Sequence, residues 1–248
     1  MASISYQLYC SRNFPPIEAT LAMLADTGFH EVEGYGGLYG DLSGLVAALD
    51  KTGLKMTSGH FGLDMVEDDP AGTVAAAKAL GMSKVYVPAI KPDMRPTDAA
   101  GWAAFGKRLA EAGKPVMDAG FTFGWHNHDF EFVDLGGADL PIDLIAQGSD
   151  DLTLELDLGW VRVAGHDPVA WLQKYAGRIS AVHVKDIAAD GEATDEDGWA
   201  DVGHGIMDWA TIMPAVAAAG ITHFVAEHDN PSDHARFARR SLATMKTF

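Results

Sequence analysis

Four side chains in the second half of the sequence carry the donor atoms of a divalent-metal site: His126, Asp157, His183 and Glu227. They lie in or close to the ends of four short β-prone runs, 121–126, 152–157, 179–185 and 222–227. Successive side chains of a strand point to opposite faces, so the parity of each run says what its charged residues face. In the first run Thr122, Gly124 and His126 share a face. In the second, Thr153, Glu155 and Asp157 oppose Leu152, Leu154 and Leu156. The leucines suit a layer of helices, so Glu155 and Asp157 point the other way. Ala181, His183 and Lys185 oppose Val182 and Val184, and His223, Val225 and Glu227 oppose Phe224 and Ala226. Two imidazoles and two carboxylates at matching depth suit one divalent ion: Mn, Co, Zn, Fe or, less well, Mg. Each residue alone has a plainer reading. A strand-end His often only satisfies a hydrogen bond, and an inward Asp often caps the next helix. Four together are harder to bury without a metal, because an unpaired buried carboxylate is costly.

Such residues need elements that bring strand ends together. A repeated punctuation supplies them: a run of helix formers, a Gly, then a short β-prone run. The glycines are Gly28, Gly53, Gly81, Gly120, Gly148, Gly177 and Gly220, each read as a left-handed helix stop. The strands that follow are 30–34, 55–59, 84–88 and the four runs above; Tyr6 to Leu8 begins the series and makes eight. Strands alternating with helices give parallel units, and eight units predict an α/β chain, a (β/α)8 TIM barrel in one domain spanning 1–248. Active sites of such barrels form at the C-terminal mouth of the strands. A doubly wound open sheet is the alternative, but no G-x-G-x-x-G follows the first strand. The acidic run Asp190 to Asp197 reads as an exposed loop over the mouth, either a lid or simply solvated.

The composition narrows the classes. The chain has 248 residues and a formal net charge of −17. Basic residues gather only at Arg236, Arg239 and Arg240, which argues against nucleic acid and anionic membranes as partners. No apolar run approaches the length of a membrane span, and no secretory signal is visible at the N-terminus. One cysteine, Cys10, forms no internal disulfide, so a cytoplasmic location is expected.

The chain resembles the sugar phosphate isomerase/epimerase group of xylose isomerase-like TIM barrels over nearly its whole length. The strongest pieces are the runs Gly124 to Phe132 (GWHNHDFEF), Leu154 to Trp160 (LELDLGW), His183 to Asp186 (HVKD) and Ala226 to Asp229 (AEHD). Weaker pieces are Val32-Glu33-Gly34, Ser58-Gly59-His60 and Val202-Gly203-His204-Gly205. The resemblance implies a metal held by Glu, Asp, His and Glu on strands five to eight. Asp157, His183 and Glu227 match the last three, while the first position is His126. In the ketose epimerases that the chain resembles, two metal-bound glutamates exchange the proton from opposite faces of one carbon, and His126 breaks that symmetry. Glu131 or His128 are the groups placed to replace the missing one from the loop. The wider superfamily includes a multi-zinc endonuclease with an extra His three residues after the strand-six Asp. That position is Trp160 here, which counts against nuclease activity.

The expected chemistry is metal-assisted proton abstraction beside the carbonyl of a sugar or polyol derivative, through an enediolate. Isomerase or epimerase activity is the first reading. Dehydration or another lyase reaction on a keto-sugar or keto-inositol is the second, and a non-catalytic sugar-binding barrel the third. Glu227 and Glu155 are candidate bases. His60 and Lys185 are candidate partners for substrate oxygens, with a Lys185–Glu155 pair as the structural alternative. Trp125 and Trp160 either stack on the sugar or pack in the wall. Arg162 either meets an anionic group or sits on the surface, and His204 joins the substrate-facing candidates. No phosphate cradle is visible. A homo-oligomer is a possibility the resemblance raises, with no interface stripe to locate it.

Overall fold

The computed structural model describes residues 2–248. Eight parallel strands close into a barrel: β1 (Ser3–Gln7), β2 (Glu31–Tyr35), β3 (Lys55–His60), β4 (Lys84–Val87), β5 (Thr122–His126), β6 (Thr153–Asp157), β7 (Ile179–Val184) and β10 (His223–Ala226). Two short strands between β7 and β10, β8 (Asp186–Ile187) and β9 (Trp199–Ala200), pair antiparallel as a hairpin above the barrel. The helices α1 (Ile17–Thr27), α2 (Leu42–Thr52), α3 (Leu63–Asp68), α4 (Pro70–Leu80), α5 (Ala99–Asp118), α6 (Pro141–Ala146), α7 (Leu158–Val163), α8 (Pro168–Lys174), α9 (Trp209–Ala218) and α10 (His234–Met245) fall between and after the strands.

The apolar core lies between strands and helices. Leu154, Leu156, Val182, Val184, Phe224 and Ala226 are buried there. The opposite parity fills the barrel interior, and it is polar: Ser5, Gln7, Glu33, Ser58, His60, His126, Glu155, Asp157 and His183 are buried. Branched aliphatic side chains are the usual filling of such a barrel. Buried polar groups cost stability unless partnered, so this interior points to a role other than packing.

Strand register sets who meets whom. His126 pairs beside Glu155, Asp157 beside His183, and His183 beside Val225. A shift between Leu154 and Glu155 lets Glu155 and Asp157 both fall opposite inward residues of β7.

Three sequence expectations change. The first strand is Ser3–Gln7 rather than one beginning at Tyr6, and Leu8 opens a short 3-10 turn. Its serines obscured it, because Ser3 and Ser5 do not carry the apolar pattern of a strand; Ser3 Oγ lies 3.0 Å from His223 Nδ1, and Ser5 is fully buried. Of the seven predicted stops, six glycines are left-handed and Gly148 is not. A Cβ on Gly148 would lie 2.1 Å from the Gly106 carbonyl oxygen, so this glycine serves the close approach of the chain after α6 to α5. The acidic run is not simply solvated. Most of it is exposed, but Glu196 is buried against Arg236 and Ser232, and Trp199 next to it is buried as well.

Candidate metal centre

Donor atoms of His126, Asp157, His183 and Glu227 lie within 4.8 Å of one another at the C-terminal mouth. Asp157 answers to both of its sequence readings, one on each oxygen. Its Oδ1 caps α7 by accepting from Trp160 N at 2.9 Å. Its Oδ2 is buried and has no hydrogen-bond partner. His126 Nδ1 is likewise buried and unpartnered. Orphaned buried acceptors are rare in folded proteins, and two in one quartet fit a cation held there. The backbone of Asp157 is fixed by Asn127, whose amide oxygen accepts from Asp157 N at 2.9 Å and whose amide nitrogen donates to Asp157 O at 3.3 Å.

Below the quartet lies a second set. His60 Nε2 is 2.6 Å from Glu155 Oε2 and 3.3 Å from Glu33 Oε1. His183 Nε2 is 2.8 Å from Glu33 Oε1 and 3.1 Å from Glu155 Oε2. Gln7 Nε2 donates to Glu33 Oε1 at 2.8 Å, and Ser58 Oγ donates to Glu33 Oε2. Donor atoms of His60, His126, Glu155 and His183 also cluster within 4.8 Å. Glu33 was quoted in the sequence only within a weak motif, and Gln7 not at all. Parity places both inward, but no parity rule tells that a strand-two carboxylate crosses the barrel to strand seven.

Burial raises Asp157 to about 7 despite Lys185 nearby. Burial also opposes the charged forms of Glu155 and Glu227, yet neighbouring cations outweigh it. His183 and His60 hold Glu155 below the ordinary carboxylate range, and Lys185 and His183 hold Glu227 well below it. Burial and the neighbouring His183 and His60 press His126 well below the usual imidazole range. His183 moves the other way, because Glu155, Glu227 and Glu33 outweigh its burial.

A cavity of about 260 Å³ opens above the quartet, lined by Tyr9, Tyr35, His60, His126, His128, Glu227 and Asp229 among others. Of the sequence candidates, His60, His126, His128 and Glu227 line it. Glu155, Asp157 and His183 are fully buried and lie outside the lining; Glu155 faces the imidazoles of His60, His126 and His183. Lys185 is fully buried too; its partners are Asp229 at 2.7 Å and Glu227 at 3.4 Å, not Glu155. Its ammonium sits over the rings of Trp199 and Trp160, at 4.2 and 4.8 Å. Trp125 is in the wall, edge-on to Phe105, because its parity is opposite to that of His126. Its Nε1 donates to Glu131, which also accepts from His128 N. Glu131 therefore fastens the loop after β5 and does not reach the quartet. Arg162 and His204 are exposed and outside the cavity lining. Tyr9, Tyr35 and Asp229 are lining residues that the sequence reading missed as site residues; Asp229 lies in a loop where alternation no longer applies.

The sequence profile of xylose isomerase-like TIM barrels matches residues 21–248. The chain belongs to that family. Similar proteins with curated descriptions include the rhizopine catabolism protein MocC of Rhizobium meliloti, 26% identical over 164 residues, which are 58% of this chain and 50% of that protein. An inosose dehydratase of Lacticaseibacillus casei is 27% identical over 164 residues, 58% of this chain and 55% of that one. The chain thus matches about half the length of these curated relatives. Among solved members of this fold, a sugar phosphate isomerase/epimerase from Parabacteroides distasonis superposes with a TM-score of 0.82 at 18% identity, over 99% of this chain and 93% of the other. Among the described residues no helix is long and apolar enough to cross a membrane.

Proposed function

We propose that this chain is a divalent-metal-dependent enzyme that removes the proton beside the carbonyl of a polyhydroxylated ketone, a keto-sugar or keto-inositol. The observation that carries the reading is the quartet itself, with Asp157 Oδ2 and His126 Nδ1 buried without hydrogen-bond partners and with His126 and Glu227 lining a cavity of about 260 Å³. A divalent ion held by His126, Asp157, His183 and Glu227 supplies Lewis-acid stabilisation of the negative charge that develops on the carbonyl oxygen.

The side chains supply the proton chemistry. Glu227 lines the cavity and is the base for the carbon-bound proton. His128, whose buried Nδ1 has no partner, is placed to bond a substrate hydroxyl. Asp229, held by Lys185 at 2.7 Å, is the second carboxylate at the cavity. Tyr9 and Tyr35, edge to face at 5.4 Å, close the outer side.

Isomerisation or epimerisation and β-elimination share this first step. One observation favours elimination. Both carboxylates lining the cavity, Glu227 and Asp229, come from the end of β10, while the β5 position carries His126. Carboxylates on one side suit removing a proton and protonating a departing hydroxyl from that side. The C–H pair becomes the new C=C bond, the C–O bond breaks, and the oxygen leaves as water. Inversion by two opposed glutamates has no counterpart here. The inosose dehydratase relative supports the same choice. The test is incubation of metal-loaded protein with a panel of keto-inositols and keto-sugars in heavy water. Loss of water with an enone chromophore is expected. Deuterium incorporation with an epimer or isomer as product would restore the first reading, and no exchange with any member of the panel would contradict both.

A further inference from the structure

The quartet alone does not say which nitrogen of His183 faces the ion, but the hydrogen bonds behind it do. The chain of reasoning starts at Gln7. Tyr9 N donates to Gln7 Oε1 at 3.0 Å, which turns the Gln7 amide nitrogen into the barrel. That nitrogen donates to Glu33 Oε1 at 2.8 Å and lies 3.5 Å from His60 Nδ1. An amide nitrogen only donates, so His60 Nδ1 is the acceptor and the His60 proton sits on Nε2. There it meets Glu155 Oε2 at 2.6 Å and Glu33 Oε1 at 3.3 Å. The same two carboxylate oxygens face His183 Nε2, at 3.1 and 2.8 Å respectively. Ionised carboxylates only accept, so His183 Nε2 also carries a proton. By the same rule Nδ1, 2.8 Å from Glu227 Oε2 and 3.9 Å from Asp157 Oδ2, carries a proton until a cation takes its place; what separates the two nitrogens is that Nδ1 faces the quartet while Nε2 faces the buried carboxylates behind it.

We infer that Glu33 and Glu155 are positioning residues that together hold the Nε2 proton of His183, making Nδ1 the ligating atom. The inference rests on the metal reading proposed above. Among the described residues the ionic partners of Glu33 and Glu155 are imidazoles alone. Both are fully buried and outside the cavity lining, so their effect on the ion passes through the imidazoles they touch: His183 for Glu33, and His183 together with His126, whose Nδ1 is 3.2 Å from Glu155 Oε2, for Glu155. Two walls of the barrel are involved: Glu33 arrives from β2 and Glu155 from β6, and both meet a side chain of β7. A carboxylate on the distal nitrogen of a metal-bound His fixes its tautomer and raises its basicity, and loss of such partners typically weakens metal binding about 10–100-fold.

The test uses the intact chain, ¹⁵N-labelled at histidine and loaded with Zn²⁺. Long-range ¹H–¹⁵N correlation is expected to show His183 protonated at Nε2 and metal-bound at Nδ1. In chelator competition, Glu33→Gln keeps an acceptor oxygen and should weaken Zn²⁺ about tenfold; Glu33→Ala and Glu155→Ala should each weaken it about 10–100-fold. The double variant should fall short of the product of the two, because both carboxylates share one proton. Ligation through Nε2 in the unmodified chain overturns the inference even if an Ala variant fails to fold. So does unchanged affinity in Glu33→Ala and Glu155→Ala while Asp157→Ala loses Zn²⁺; in that case the metal reading survives. Failure of the unmodified chain to take up Zn²⁺ overturns the metal reading and this inference with it.

Discussion

Two charged networks sit at the barrel mouth, and they are built to opposite rules. The outer one ties the β8–β9 hairpin loop to α10. Arg236 Nη2 reaches Glu196 Oε2 at 2.7 Å, its Nε reaches Asp201 Oδ2 at 3.1 Å, and Arg240 Nη1 reaches Asp201 Oδ2 at 2.8 Å. Ser232 N adds a bond to Glu196 at 2.9 Å. Each carboxylate there meets a guanidinium. The inner one holds Glu33, Glu155, Asp157 and Glu227 with a single lysine, and leaves His126 Nδ1, Glu155 Oε1 and Asp157 Oδ2 without hydrogen-bond partners. Fully satisfied polar networks rigidify a fold, whereas partly satisfied ones cost stability. In the outer network both carboxylates are partnered, and the buried atom left over is His228 Nε2, 3.3 Å from Glu196. The inner one leaves carboxylate and imidazole atoms open, and its donors are those a divalent cation takes.

That contrast breaks most easily from the inside. Asp157→Ala removes the capping and the free oxygen together. It should lower metal affinity by more than the roughly 100-fold upper bound expected for a supporting residue, while the chain stays folded, as read by metal content and a thermal melt. In the outer network, Arg236→Ala strands Glu196 and Asp201. Arg236 keeps 29% side-chain exposure, so the loss should be about 2 kcal/mol in urea unfolding, below that of a fully buried pair. Metal affinity should hold.

Acid sharpens the same difference. Arg236 and Ser232 hold Glu196 at about 2, below its ordinary 4.5, even though burial acts the other way. A carboxylate depressed on folding contributes stability that is present above its unfolded pKa and lost as pH falls through its folded one. Unfolding free energy should therefore drop between about pH 4.5 and 2, and Arg236→Ala should flatten that part of the profile. The smallest effect belongs to residues outside both networks. Arg162→Ala and His204→Ala should change KM by no more than about twofold, as surface substitutions do.

How much of this the sequence revealed follows from where alternation operates. Within strands the period of two is strict, so Leu154 and Leu156 were enough to send Glu155 and Asp157 inward, and Val182 and Val184 to send His183. Trp125 obeys the same rule in reverse: one residue before His126, it belongs to the helix side. Depth is what parity does not give. Glu155 is two residues earlier than Asp157 and is buried outside the cavity lining among imidazoles. Beyond the strands the rule lapses. Asp229 and Glu131 lie in loops, and only the folded chain separates the one at the cavity from the one pinned beneath Trp125. Ser3 and Ser5 hid the first strand because an inward polar residue next to a chain end reads as coil. The acidic loop looked unpackable because its partner, Arg236, is remote in sequence.

The central claim is that the inner network is a site for one divalent ion. The direct measurement is anomalous diffraction at the manganese edge from crystals of the chain equilibrated with Mn²⁺. A single peak bounded by His126, Asp157, His183 and Glu227 is predicted. No peak, or one that leaves Asp157 and Glu227 uncoordinated, would contradict the account.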